Sequence, residues 1–309
     1  MKILKPKFWE KNNNLISLLL FPISFFLQLL ITIKKQITTE YSFEIPVICV
    51  GNIYLGGTGK TPLCIFITKE LIKHNKKPAI IKKFYPDQAD EHSLISNNLD
   101  CLFLNTQRYK AIKSAEKKQH DIAILDDGFQ DYSIKKNLNI LCFNSNQLIG
   151  NGMTLPSGPL RENINAIKKT QIVIINGETN KIFEKKILNI SDKIKIFYSK
   201  YLPINIKEFE NKKLFVFAGI GNPSNFFKLL KENNLDIHKQ IAFPDHYKFS
   251  KSEIQKMIKE SSENNLELVT TEKDYCRIKD LGFKHVKFLK IKLEILEKDK
   301  FINQILSYS

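Results

Sequence analysis

A glycine turn ending in lysine and threonine, Gly56-Gly57-Thr58-Gly59-Lys60-Thr61-Pro62, sits between an apolar run and a helical pattern. The run before it, Ile45-Pro46-Val47-Ile48-Cys49-Val50, reads as a buried strand, and Leu63 to Lys73 reads as a helix. Glycines let backbone N–H groups approach an anion closely, and a helix start adds the positive end of its dipole. Such a phosphate-binding loop assigns Lys60 to the β- and γ-phosphates of a nucleotide and the Thr61 hydroxyl to Mg²⁺. The usual spacing, Gly-x-x-x-x-Gly-Lys-[Ser/Thr], asks for glycine at Tyr54; here Gly51 stands three positions earlier. A plain glycine turn would not explain why Lys-Thr lands on the first helical turn. The residues expected to line the nucleotide are Tyr54, Leu55, Gly56, Gly57, Thr58, Gly59, Lys60 and Thr61.

From Ile45 onward, apolar strands at 47–50, 78–81, 122–125, 140–143 and 172–175 alternate with helical patterns such as 63–74 and 106–119. That order predicts an α/β fold: a P-loop NTPase-like, mostly parallel sheet flanked by helices, with ligands at the strand C-terminal ends. A second block begins near Lys213, with a strand at 214–218, a Gly-Ile-Gly-Asn-Pro turn, helices at 224–233 and 250–263, and a strand at 266–270. The stretch 193–207, with strand character and Pro203, is the expected connector. The predicted division is a membrane-associated helix over 1–34, a phosphate-loop domain over 35–200 and a smaller C-terminal α/β domain over 201–309.

Bulk properties narrow the function classes. The formal charge of +16 invites a nucleic-acid reading, but it is nearly all lysine, with only Arg108, Arg161 and Arg277 as arginines. No basic cluster interleaved with aromatics marks a nucleic-acid groove. The sign of the charge suits an anionic lipid surface or a phosphorylated substrate. Cys49, Cys64, Cys101, Cys142 and Cys276 are scattered and form no Cys-x-x-Cys pair, which argues against a zinc site or a disulfide frame and for a reducing compartment.

Residues 15–33 carry no charge over 19 positions, about 28 Å as a helix and close to the thickness of a bilayer's hydrocarbon. Lys34-Lys35 follows where a signal peptide would offer a small-residue cleavage site. Phe8 and Trp9 beside Lys5, Lys7 and Lys11 suit an interfacial anchor. Pro22 and Gln28 leave three arrangements open: a full span, a helix lying partly embedded in one leaflet, or an apolar hairpin of the soluble fold. The downstream nucleotide site and free thiols place the rest of the chain in the cytoplasm.

The second chemical motif is Ile122-Ala-Ile-Leu-Asp126-Asp127-Gly-Phe-Gln130, an apolar strand ending in carboxylates. A buried strand of this kind delivers an aspartate beside Mg²⁺ at the sheet's C-terminal edge. Together with Val50-Gly-Asn-Ile-Tyr-Leu-Gly-Gly-Thr-Gly-Lys-Thr-Pro62, Gly150-Asn-Gly-Met-Thr-Leu-Pro-Ser-Gly-Pro-Leu-Arg-Glu162, Phe217-Ala-Gly-Ile-Gly-Asn-Pro223, Phe243-Pro-Asp-His246 and Thr271-Glu-Lys-Asp274, it resembles the tetraacyldisaccharide 4′-kinases of lipid A synthesis. The motifs stand in that family's order from the N-terminal helix to about residue 277. That family uses Mg-ATP to phosphorylate the 4′-hydroxyl of a lipid A disaccharide 1-phosphate at the inner face of the cytoplasmic membrane.

The resemblance implies roles for individual residues. Asp90 matches the base for the sugar hydroxyl and His246 the histidine that pairs with it, beside Lys60 as the third catalytic residue. Asp126 and Asp127 carry over as Mg²⁺ ligands with Thr61, and Glu162 is expected to complete the set. Glu91, Arg108, Gln130 and Arg161 are the implied substrate contacts, the arginines suiting phosphate geometry. Closure of the smaller domain is expected to bring His246 to Asp90.

Departures from the family's pattern cluster near the acceptor residues. Lys82-Lys83-Phe84-Tyr85 replaces Ser-Arg-Gly-Tyr, the segment before Asp90 is short, Ala89 and His92 replace glycine and proline, and Asp131 replaces histidine. Two rivals follow: a membrane-tethered P-loop ATPase acting through protein partners, and a homologue with a decayed acceptor site. Leu55, where many partition-type ATPases carry a lysine, counts against the first. Membrane lipid and the lipid substrate are the partners the sequence implies; nothing in it marks nucleic acid or an obligate protein partner.

Overall fold

The computed structural model describes residues 6–283 and 285–309. Helix α1 (Leu15–Ile37) is followed by β1 (Val47–Gly51), α2 (Lys60–Lys73), β2 (Pro78–Lys83), α3 (Ala89–Ser96), β3 (Leu102–Asn105), α4 (Arg108–Lys117) and β4 (Ile122–Asp126). Next come β5 (Leu138–Asn144), β6 (Ile172–Asn176), α5 (Lys181–Ile190), β7 (Lys195–Pro203), β8 (Lys213–Ala218), α6 (Pro223–Glu232) and β9 (Asp236–Ala242). The chain closes with α7 (Lys251–Glu263), β10 (Glu267–Thr271), α8 (Glu272–Ile278), β11 (Lys287–Leu289), β12 (Ile291–Ile295) and α9 (Lys298–Leu306).

An eight-stranded sheet has the order β12-β7-β6-β5-β1-β4-β2-β3. From β3 to β7 every neighbouring pair is parallel. Parallel sheets are covered on both faces, so β1, β4 and β6 are buried at every position and apolar until their last residue. Because β4 inserts between β1 and β2, three strand ends meet at one edge. Val50 and Lys82 both lie level with Asp126.

A second, four-stranded parallel sheet, β11-β10-β8-β9, has its own core, including Phe215, Phe217, Phe249 and Ile254. The chain correspondingly divides into two units. Residues 6–84, 101–200 and 294–309 form the first; residues 85–100 and 201–293 form the second. This division differs from the boundaries the sequence suggested. Residues 85–100 join the second unit because α3 packs on α8. The tail joins the first because Phe301 is fully buried, 6.3 Å from the Phe66 ring, and Lys298 pairs with Glu70 at 2.8 Å.

Helix α2 starts at Lys60, three residues earlier than its apolar pattern, since its first turn belongs to the loop motif. Edge strand β9 escaped the sequence reading. It alternates half-buried with exposed positions and carries His238, Lys239 and Gln240, too polar to stand out as a strand.

Helix α1 is tied along one side to the 151–161 loop of its own unit. Asn151 donates to Ser17 Oγ at 3.0 Å, Ser24 Oγ donates to Thr154 O at 3.0 Å, and Gln28 Nε2 donates to Arg161 O at 3.2 Å. These residues recur at helical spacing and form one polar stripe. The opposite side is bare: Leu15, Leu19, Phe25 and Ile37 are 65–77% exposed. Trp9, expected at a membrane interface, is buried instead, and its indole N–H donates to Pro156 O at 3.0 Å. An indole with a carbonyl partner and an apolar niche has no need of the bilayer surface.

Candidate active site

Within the first unit, the nucleotide-type site is built where β1, β4 and β2 end. Gly59 takes φ 92° and caps α2, so the chain turns sharply and presents the helix's free N–H groups. Gly51 is needed for a close approach instead. A Cβ there would lie 2.4 Å from the Cβ of Phe129, so only glycine lets the turn after β4 pass over β1. Asn52 braces the loop from beneath, donating to Gly56 O at 3.1 Å and Thr58 Oγ1 at 3.0 Å. Tyr54, named as a nucleotide contact by its place in the loop, sends its side chain into the core, 1% exposed. Leu55, by contrast, is exposed, and its N–H donates to Pro159 O at 2.8 Å.

Asp126 ends β4, fully buried. Its Oδ2 accepts from Thr61 Oγ1 at 2.9 Å and Lys82 Nζ at 2.6 Å, while Oδ1 has no hydrogen-bond partner. Asp127 follows in a left-handed turn at φ 58°, held there by Arg108, which donates to its carbonyl at 2.7 Å. The Asp127 carboxylate faces Lys60 Nζ at 3.7 Å and takes both oxygens to Arg161 at 3.0 and 3.1 Å. Burial alone would push the Asp127 carboxyl up. The charges of Lys60, Arg161 and Lys82 outweigh it and hold the group at about 2.

A hydroxyl and two carboxylates beside a nucleotide loop are the hard oxygen donors that Mg²⁺ takes, and the orphaned Asp126 Oδ1 is a donor in want of a cation. Glu162, expected to join that set, has protein partners of its own. Among the described residues no group of three acidic, histidine or cysteine side chains stands together as a metal cage. Glu162 accepts from Gln130 at 3.1 Å and faces Lys35 at 3.7 Å. Mg²⁺ commonly keeps several waters and binds through one or two carboxylates, so Thr61 with Asp126 and Asp127 suffices in kind.

Arg108 is also largely committed, through Asp131 at 3.2 Å and the turn carbonyls, which explains the aspartate at position 131. The thiols of Cys49 and Cys142 lie buried under this site and are pushed up to about 11 and 12, so they stay neutral. They act as small core residues.

A separate cluster of ionisable residues lies within the second unit. Asp90 and Glu91 sit in the first turn of α3, and His246 is held at φ 54° by a backbone bond to Gly219 O at 3.1 Å. His246 Nδ1 is 3.4 Å from Asp90 Oδ2, so the pair is assembled inside one unit and needs no domain closure. Sequence reading missed this because 85–100 looked like part of the preceding domain.

Helix α8 supplies what the sequence reading noted only as a motif. Arg277 grips Asp90 Oδ2 with Nε at 2.9 Å and Nη2 at 2.5 Å, and Lys273 bonds Glu91 at 2.7 Å. Asp274 holds Arg277 at 2.6 Å and accepts from the Gly219 N–H at 3.0 Å. Burial raises the Asp90 carboxyl, but the His246 hydrogen bond and the charges of Lys273 and Arg277 overcome it and hold Asp90 well below the usual carboxylate range.

Removing Arg277 would take from the buried Asp90 and Asp274 carboxylates their shared guanidinium and leave both under-compensated. Arg277→Met is expected to cost about 3–5 kcal/mol in denaturant unfolding at pH 7. The Asp90 contribution is whole above its unfolded value of about 3.9 and is lost as pH falls through its lower folded value. The gap between variant and wild type should therefore narrow below about pH 4. A gap that stayed constant from pH 7 to pH 3 would separate Arg277 from the ionisation of Asp90.

A strand, a glycine loop with lysine at the helix start, and an aspartate ending the neighbouring strand define a P-loop protein of the α/β class. The family described as tetraacyldisaccharide-1-P 4′-kinase matches residues 16–309, and the chain belongs to that family. It is a kinase. The tetraacyldisaccharide 4′-kinase of Pelagibacter ubique is 43% identical over 99% of this chain and 98% of its own length. That of Rickettsia canadensis is 33% identical over 91% and 90%. The crystal structure of LpxK from Aquifex aeolicus in complex with ATP shares the fold, with a TM-score of 0.71 at 21% identity over 95% of this chain and 99% of that one.

Proposed function

We propose that the protein transfers the γ-phosphate of ATP in line to the 4′-hydroxyl of a tetraacyldisaccharide 1-phosphate, giving the 1,4′-bisphosphate at the cytoplasmic face of the inner membrane. The observation that carries this reading is the meeting of Lys60 and Thr61 at the start of α2 with Asp127 and Asp126 at the end of β4. The relatives' names supply the acceptor. Lys60 binds phosphate oxygens, and Thr61, Asp126 and Asp127 hold the metal, whose charge offsets that of the transferring group. Asp90, oriented by His246, takes the proton of the sugar hydroxyl. Glu91, Gln130 and Arg161 are assigned to substrate, and Arg108 shapes the turn that carries Asp127. The assembled Asp90–His246 pair argues against a decayed acceptor site despite the departures around it.

The assay is transfer of radiolabelled γ-phosphate into the lipid disaccharide 1-phosphate. Label appearing in the bisphosphate supports the kinase reading. ATP consumption indifferent to the lipid would point to a partner-driven ATPase instead.

Helix α1 supplies the membrane attachment, and we place it along one leaflet rather than across the bilayer. Its length and mean hydropathy of 2.3 suit either arrangement, but a crossing would pull Ser17, Ser24 and Gln28 from their partners into hydrocarbon. A Leu19→Glu, Phe25→Glu double variant alters only the bare side. Its partition into anionic phospholipid vesicles should fall by at least about tenfold, with nucleotide binding retained. Undiminished co-sedimentation would remove α1 from the membrane.

A further inference from the structure

Lys82 has no place in the chemistry described so far, yet it is among the most buried cations of the chain, 3% exposed. It is the penultimate residue of β2, level with Asp126 of β4, so strand register alone aims the two side chains at one another. Its ammonium lies 2.6 Å from Asp126 Oδ2, the oxygen that also accepts from Thr61. The other oxygen, Oδ1, is buried and unpartnered. Asp126 is thus half-satisfied: one side is neutralised by a fixed cation and the other is left for a ligand.

From this geometry we infer that Lys82 is the resident counter-ion of the metal site, a positioning residue that sets how tightly the site takes Mg²⁺. The inference rests on the metal role proposed for Asp126. A buried carboxylate without a partner is strongly unfavourable, so Lys82 stabilises the metal-free protein and fixes the carboxylate's rotation. The same positive charge draws on the carboxylate's negative charge and repels an incoming divalent ion. Metal affinity is therefore held below what Thr61 and the aspartates alone would give. The resident charge spares the metal-free protein an unpaired aspartate in its core.

The test is thermal unfolding of the full-length protein and of Lys82→Gln, Lys82→Met and Lys82→Arg in EDTA and then over a series of free Mg²⁺ at fixed ADP. Gln and Met remove the charge, Gln keeping a donor in case Met does not fold. Both should melt below wild type in EDTA, and the gap should close as Mg²⁺ rises. The half-saturating Mg²⁺ concentration should fall by about tenfold, the scale on which outer-shell partners move metal affinity. Lys82→Arg should keep the wild-type Mg²⁺ dependence.

A merely structural lysine would lower the melting temperature by the same amount at every Mg²⁺ concentration, and that outcome overturns the inference. If Mg²⁺ moved neither wild type nor any variant, the metal role of Asp126 would fall, and the inference with it. A response equal in wild type and variants would sink the inference alone.

Discussion

Lys60→Ala is expected to lower kcat by about 10²–10³-fold, the usual cost of removing one preorganised charge partner of a transition state. The fold should hardly notice. The Lys60 side chain is 12% exposed at the start of α2, and its ion pair to Asp127 is long at 3.7 Å. Asp127 keeps Arg161 at 3.0 Å when Lys60 is gone, so no buried carboxylate is stranded. The loss should therefore fall on turnover, with the thermal midpoint close to wild type. Initial rates with ATP and the lipid acceptor, beside a melting curve, measure both. Turnover near wild type would remove Lys60, and with it the loop, from the phosphoryl-transfer site.

Asp90→Asn is expected to be as severe, about 10²–10⁴-fold in kcat, because an amide cannot accept the proton of the sugar hydroxyl. Nucleotide binding should survive, since Asp90's partners are His246, Lys273 and Arg277 and not residues of the loop. His246→Ala should cost less, because Arg277 and Lys273 still hold Asp90 in place and ionised. Rates and ATP affinity measured together separate the roles of the two clusters. If Asp90→Asn lost ATP binding and rate in parallel, Asp90 would be a structural residue of its unit rather than the base.

Much of this was legible before any coordinates. A run such as Ile122-Ala-Ile-Leu reads as a strand covered on both faces, and the structure buries each of its residues. Gly59, Lys60 and Thr61 announced their turn and helix start because glycine's freedom and the orphaned N–H groups are local properties. Asp126 and Asp127 were identifiable because the first ends a buried strand and the second follows it directly. Trp9 and α1 show the limit of that logic. Composition marked both as apolar, but only the fold showed that Trp9 is covered by the 151–156 loop while most of α1 is not.

Lys82 shows the limit more sharply, since the sequence marked it only as a departure from the family's pattern and gave no sign that it is buried against Asp126. Arg277 lies 187 residues from Asp90, and α9 returns to α2 from the far end of the chain. Periodicity and turn chemistry are set by neighbours along the backbone, and those marked the buried central strands, the glycine loop and the two aspartates at the end of β4 and just after it. Which cation stands against which carboxylate depends on strand order, register and the docking of distant helices. No local pattern carries that information, because it arises only when separate segments share a core.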